Sequence, residues 1–178
     1  MRNAGLIFPV IIILLFSVPS RGLNIYLEHQ VQKGGGVVTA LNFSQDGGLL
    51  GFGNLDGDIY ILDPESGEEK AAYHYHGSEV SDLLFSPDGR YIVSCSADKT
   101  LKLKEIGSEV TAANLEGFEG RAERLAFSSD GRYLAGDGDD HDIFIWEIPS
   151  GHLRSRMKGH GDDILEIAFD QSSGTLIT

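Results

Sequence analysis

Cysteine is nearly missing from the chain, with Cys95 the only one, so no internal disulfide can hold the fold in any redox compartment. Positive charge is scarce as well: Lys and Arg number 14 against 27 Asp and Glu, a net charge of −13. That balance argues against nucleic acid, whose phosphates demand a basic footprint, and against an anionic membrane surface. It serves the solubility of a β-rich surface. The enzyme signatures Gly-x-Ser-x-Gly, His-Glu-x-x-His and the P-loop are absent. The one long apolar run, Gly5 to Val18, is too short for a comfortable membrane span.

That run follows Met1-Arg2-Asn3 and precedes Val18-Pro19-Ser20, which offers small residues at the last and third-last positions of a cleavage site. Residues 1–20 therefore read as a signal-peptide-like segment, cleaved after Ser20, of a secreted or exported protein. The alternative is an uncleaved membrane anchor. In residues 21–33, Leu23, Ile25 and Leu27 alternate with Asn24, Tyr26 and Glu28, the pattern of an outer strand or linker.

What the chain has in abundance is a repeat. The stretch VSDLLFSPDGRYIVSCSADKTLKLK, residues 80–104, holds three short apolar runs separated by Ser86-Pro87-Asp88-Gly89 and Ala97-Asp98-Lys99. Pro presets φ in such a turn, Asp bonds its own backbone and Gly accepts positive φ, so the stretch reads as an antiparallel meander. It recurs at 42 residues: Phe43, Phe85, Phe127 and Phe169; Gly47, Gly89 and Gly131; Asp56, Asp98 and Asp140. A period in the low forties with four strands per unit is the signature of propeller blades.

The third unit makes the likeness specific. Phe127-Ser128-Ser129-Asp130-Gly131-Arg132-Tyr133-Leu134 and Ile143-Phe144-Ile145-Trp146-Glu147, with Ser94-Cys95-Ser96-Ala97-Asp98-Lys99-Thr100 and Gly159-His160, resemble the WD-repeat family of β-propellers over residues 34–178. The resemblance implies an all-β fold, a partial propeller of four-stranded antiparallel blades with an incomplete ring. Its units are 34–75, 76–117, 118–159 and a truncated 160–178. The last stops in mid-strand, so the chain reads as a fragment of a larger ring.

In that family a His before the inner strand, a Ser or Thr on the second strand, an Asp in the next turn and a Trp on the third strand form a buried hydrogen-bond chain. The resemblance places His76, Ser94 and Asp98 in blade two, with Lys104 where Trp belongs. Blade three has Asp140 and Trp146 but Phe118 and Gly136 at the other two places, and blade one keeps only Asp56. His160 and Thr178 are the corresponding pair of the fourth unit.

Two clusters invite a metal. Asp137-Gly138-Asp139-Asp140-His141-Asp142 is rich in oxygen ligands but lacks the downstream Glu of a calcium loop, and it coincides with a turn where Asp and Gly are expected. His74 and His76 lie two apart on a strand, as zinc ligands could, yet His76 has a structural place by resemblance. Cys95 lies between two serines without a neighbouring base and reads as a packed small residue. No catalytic residue, metal or cofactor is assigned.

Meander geometry puts the connections 34–37, 76–79, 118–121 and 160–163 on one face with the turns 55–58, 97–99 and 138–141. Candidate partner-binding residues there are Glu79, Lys99, Glu119, Arg121, Asp139, His141, Asp162 and Asp163. The expected function is a non-catalytic scaffold that presents propeller loops to a protein or peptide, with a basic partner favoured. The alternative is the gating propeller of a secreted or periplasmic hydrolase whose catalytic domain lies outside this chain.

Overall fold

The computed structural model describes residues 37–110, 113–118, 120–139, 141–170 and 174–178. The signal-peptide-like segment, the 21–33 strand or linker, Glu119 and Asp140 lie outside them.

Each repeat builds one antiparallel meander. β1 (Val38–Phe43), β2 (Leu50–Asn54), β3 (Asp58–Leu62) and β4 (Glu69–His74) pair in that order. The second sheet is β5 (Val80–Phe85), β6 (Tyr91–Ser96), β7 (Leu101–Glu105) and β8 (Ala113–Asn114). The third is β9 (Leu125–Phe127), β10 (Tyr133–Asp137), β11 (Ile143–Glu147) and β12 (Leu153–Met157). β13 (Ala168–Phe169) and β14 (Leu176–Ile177) form a short hairpin. The described residues are all-β: they contain no helix, and their sheets do not close into a barrel. This is the architecture of partial propeller blades.

The repeat is exact at the first turn of each sheet. The hydroxyl of Ser44 donates to Asp46 at 2.6 Å, that of Ser86 to Asp88 at 2.5 Å and that of Ser128 to Asp130 at 2.7 Å. The same hydroxyls accept the N–H of Leu49, Tyr91 and Tyr133, each at 2.9 Å. A Ser and an Asp two residues apart thus satisfy the backbone of a turn that would otherwise leave donors open.

The sheets stack face to face through apolar layers. Ile59 and Ile61 of the first meet Val80, Leu83 and Ile92 of the second. Val93, Leu101 and Leu103 of the second share a core with Leu125, Leu134, Phe144 and Trp146 of the third. Ala126, Ala135 and Ile143 of the third pack on Ile167. Gly53 sets the first spacing, because a Cβ there would lie 2.5 Å from the Val80 side chain. The position 42 residues later is Cys95, a buried free thiol whose pKa is pushed up by burial.

Candidate functional site

Blade two carries a polar chain that crosses the start of its inner strand. His76 is buried, with Nε2 2.8 Å from the Ser94 hydroxyl and Nδ1 3.3 Å from Asp98 Oδ2. Nδ1 also lies 3.0 Å from Thr100 Oγ1, whose hydroxyl donates to Asp98 Oδ1 at 2.5 Å. The Gly77 N–H donates to Asp98 Oδ2 at 2.8 Å and the Thr100 N–H to Oδ1 at 2.9 Å. Burial works to raise the Asp98 pKa, but the Thr100 hydroxyl and these N–H groups outweigh it and hold the carboxyl down at about 2. Burial pushes the His76 imidazole below its ordinary value against the pull of Asp98. The Tyr75 phenol, 3.3 Å from the Ser94 hydroxyl, is pushed up to about 12 by burial.

Thr100 is the member of this chain that residue types alone did not point to. Its place in the repeat is taken by Asp58 in blade one and Asp142 in blade three, and both of those are polar nodes too. Asp58 Oδ1 sits 2.7 Å from His74 Nδ1, and its Oδ2 accepts from Asn54 at 3.3 Å. Asp142 is buried and accepts from Arg156 Nε at 2.6 Å, with Lys158 Nζ at 3.6 Å. His74 and His76 therefore serve carboxylates of different blades rather than one common centre.

The other described network residues, Asp56, Trp146, His160 and Thr178, sit in settings unlike that of blade two. Asp56 is exposed, and its turn is held instead by Asn54, whose Oδ1 accepts the N–H of Asp56 at 3.0 Å and of Asp58 at 2.8 Å. Trp146 is fully buried, but with Gly136 offering no hydroxyl its indole N–H donates to the Glu116 carbonyl at 2.7 Å. Phe118, in the place of the His, meets Trp146 edge-on at 5.9 Å, so an aromatic cluster with Phe144 replaces the polar chain of blade three. His160 Nε2 and Thr178 Oγ1 are 2.8 Å apart, but both residues are exposed rather than buried. In blade two Lys104 stands where Trp146 stands in blade three. It is buried, donates to the carbonyls of Ser108 and Val110, and lies 5.3 Å over the Tyr73 ring.

The turns on this side of the sheets meet the connections that enter the inner strands. The Ala97 N–H donates to Glu79 O at 2.9 Å, beside Lys99 with its positive φ of 68°. Asp139 Oδ1 accepts the Arg121 N–H at 2.8 Å, and His141 Nδ1 is 3.4 Å from Asp163 Oδ1. Asp162 caps the N–H of Asp163 at 3.0 Å. The Asp139–Arg121 and His141–Asp163 contacts border a cleft of about 250 Å³ lined by Arg121, Glu123, Arg124, Asp137, Asp139, His141, Asp163 and their neighbours. At its base Asp137 is 8% exposed; one carboxylate oxygen, Oδ1, accepts the N–H groups of Glu123 and Arg124, each at 2.8 Å. Burial pushes its pKa up, and those N–H groups work against the rise. Arg124 turns its guanidinium onto the carbonyls of Leu165 and Glu123, at 3.0 and 2.8 Å. The described carboxylates of the 137–142 stretch thus point at three different partner sets, and among the described residues no group of three His, Cys, Asp or Glu gathers as a metal site.

Residues 67–103 and 112–147 match the family model described as WD domain, G-beta repeat. These two stretches are WD repeats. Among curated relatives it is 30% identical to the WD repeat-containing protein 91 homolog of Dictyostelium discoideum, over 51% of this chain and 12% of that protein. It is 32% identical to SEC12-like protein 2 of Arabidopsis thaliana, over 51% of this chain and 29% of that protein. It is 35% identical to the U5 small nuclear ribonucleoprotein 40 kDa protein of Dictyostelium discoideum, over 36% of this chain and 18% of that protein. The chain thus spans under a third of the length of these relatives. The two matched repeats take in the His76–Ser94–Asp98 chain and the Trp146 cluster, so one WD framework accommodates both a polar and an aromatic solution to the same packing problem.

Removing the acceptor at the centre of the polar chain leaves His76, Thr100 and the Gly77 N–H without it. Asp98→Ala is expected to cost about 1–3 kcal/mol. Asp56→Ala, at an exposed turn held by Asn54, is expected to stay within about 0.5 kcal/mol. Urea midpoints of the two variants check this, and equal shifts would remove the special place of Asp98.

Proposed function

We propose that the WD blades act as a non-catalytic scaffold whose loop face, centred on the cleft between blade three and the 160–165 connection, holds a basic segment of a protein partner. The observation that supports the reading is the charge left over in the cleft. The carboxyl groups of Glu123, Asp137, Asp139 and Asp163 line the cleft against the guanidinium groups of Arg121, which pairs with Glu123 at 3.5 Å, and Arg124, so acidic side chains outnumber the guanidinium groups. Such a wall attracts Lys and Arg side chains and favours fast, salt-dependent encounter. A relative whose name makes it a 40 kDa protein of a ribonucleoprotein particle supports the idea that WD blades of this kind work inside assemblies. The chain's net charge of −13 favours a protein over nucleic acid in that role.

A panel of fluorescein-labelled 15-residue peptides, one set rich in Lys and Arg and one of the same lengths rich in Asp and Glu, tests the reading by fluorescence polarisation. Binding confined to basic peptides, weakened at least tenfold by Asp163→Lys or Asp139→Lys and by added salt, is the expected outcome. Equal binding of the two sets, or binding of basic peptides that both substitutions leave intact, would dismiss it.

A further inference from the structure

The third strand of blade two departs from the repeat at two places. Lys102 and Lys104 of β7 stand where blade one has Tyr60 and Leu62 and blade three has Phe144 and Trp146. Leu101 and Leu103 turn to blade three, so the two lysines turn to blade one, one strand step of about 6.6–6.8 Å apart. There they meet the stacked rings of Tyr73 and Tyr75, whose centroids are 5.8 Å apart. Lys102 Nζ lies 5.5 Å over the Tyr75 ring and Lys104 Nζ 5.3 Å over the Tyr73 ring.

Both ammonium groups bond only to carbonyls. Lys102 donates to Tyr75 O at 2.5 Å, and Lys104 donates to Ser108 O and, at 2.6 Å, to Val110 O. Carbonyls and ring faces hold an ammonium without cancelling its charge, and neither lysine forms a salt bridge with any described residue. In a chain of net charge −13 this is a local excess of positive charge. A cleft of about 550 Å³ opens at Lys104, walled by Ala71, Tyr73 and Tyr75 on the blade-one side and by Gly107, Ser108 and Val110 on the other. Of the remaining charged groups that line it, Lys70 is paired with Glu68 at 2.7 Å and Glu109 reaches neither Lys102 nor Lys104. We propose that this cleft binds a carboxylate carried on an aromatic stem, with Lys104 as its counter-charge.

The donors favour a carboxylate over a phosphate. An ammonium has three N–H groups, so the two carbonyls leave Lys104 one to give, and no arginine fork lines the cleft to clamp a phosphate. The tyrosine rings and Ala71 offer the stem an apolar wall, and the volume falls within the range of about 300–1,000 Å³ that small organic ligands fill. The cleft is also separate from the acidic one at Asp137. β7 runs away from the 97–99 turn and Lys104 lies near its far end, so the two clefts open at opposite ends of the strands.

Calorimetric titration of the full chain with hydrocinnamate and with its neutral amide tests this. The acid is expected to bind about tenfold or more tightly than the amide, and Lys104→Met is expected to erase that preference. Val110→Glu sets a competing carboxylate at the rim while keeping the carbonyl that Lys104 uses, and is expected to weaken the acid about tenfold. It decides the matter if Lys104→Met fails to fold, since Val110 is exposed. Arg154→Met makes the same change of charge on an exposed side chain of blade three and is expected to leave the affinity unchanged. Trp146 fluorescence must stay that of a buried indole in every variant compared. A matching preference for acetyl-Phe-Glu-amide over acetyl-Phe-Gln-amide would identify a peptide side chain as the source of the carboxylate, and binding of hydrocinnamate alone a free small acid. Equal binding of acid and amide, tighter binding of phenyl phosphate, or acid affinity that survives the folded Lys104→Met variant, or Val110→Glu in its place, would each overturn the assignment.

Discussion

Trp146→Ala is expected to lower stability by about 3–5 kcal/mol, the largest loss at any single position of the described blades. The indole is fully buried and belongs to the core shared by blades two and three, among Val93, Leu101 and Leu103 from one side and Leu134 and Phe144 from the other. It stacks on Phe144 at 5.7 Å and meets Phe118 edge-on, so truncation removes the centre of a three-ring cluster and leaves a cavity between two sheets. Trp146→Phe keeps most of the ring area but leaves the Glu116 carbonyl without its donor, and is expected to cost about 1–2 kcal/mol. Urea unfolding followed by far-UV circular dichroism gives both numbers. Equal losses for Ala and Phe would mean that the indole N–H, and not the packing, carries this junction.

The contrast between Trp146 and Asp98 shows which parts of the architecture are readable from residues alone. The meander and its spacing were legible because turn chemistry is local: Ser86 and Asp88 make the same two bonds as Ser44 and Asp46, and both pairs sit at a fixed offset from Gly. The polar chain of blade two was legible for the same reason, since His76, Ser94 and Asp98 are each of the right type at the right place. Thr100 was not, because the Asp98 carboxylate has two oxygens and nothing in the spacing says which hydroxyl takes the second. Asp56 misled because its type matches the period while the acceptor has moved to Asn54, two residues earlier. The partner of Trp146 was hidden by Gly136: once the hydroxyl is absent, the nearest free acceptor is a backbone carbonyl, which a sequence does not mark. The cleft at Asp137 depends on three connections meeting, 118–124, 137–141 and 163–165, and their meeting is a property of the stacked sheets rather than of any one repeat.

The junction between blades one and two has its own decisive position, Gly57. Its φ is +86°, and a Cβ there would lie 2.5 Å from the His76 carbonyl oxygen and 2.8 Å from that of Ser78. The left-handed backbone costs a side chain about 1–2 kcal/mol. The contact adds about 1–3 kcal/mol, because the atoms in the way are backbone and cannot swing aside as a side chain would. Gly57→Ala is therefore expected to lose about 3 kcal/mol. Gly89→Ala is the control, with φ of +69° but nothing within 4 Å of the added carbon, and is expected to lose only about 1 kcal/mol. The larger loss has a specific route, since displacing the His76 backbone draws its Nδ1 away from Asp98 and Thr100. Once Asp98→Ala has already dismantled that chain, Gly57→Ala has less left to break, so the double variant should fall short of the sum of the two single losses by more than about 0.5 kcal/mol. Urea midpoints of the two single variants and the double variant close the cycle, and strict additivity would show that the tight contact at Gly57 and the polar chain of His76 are independent.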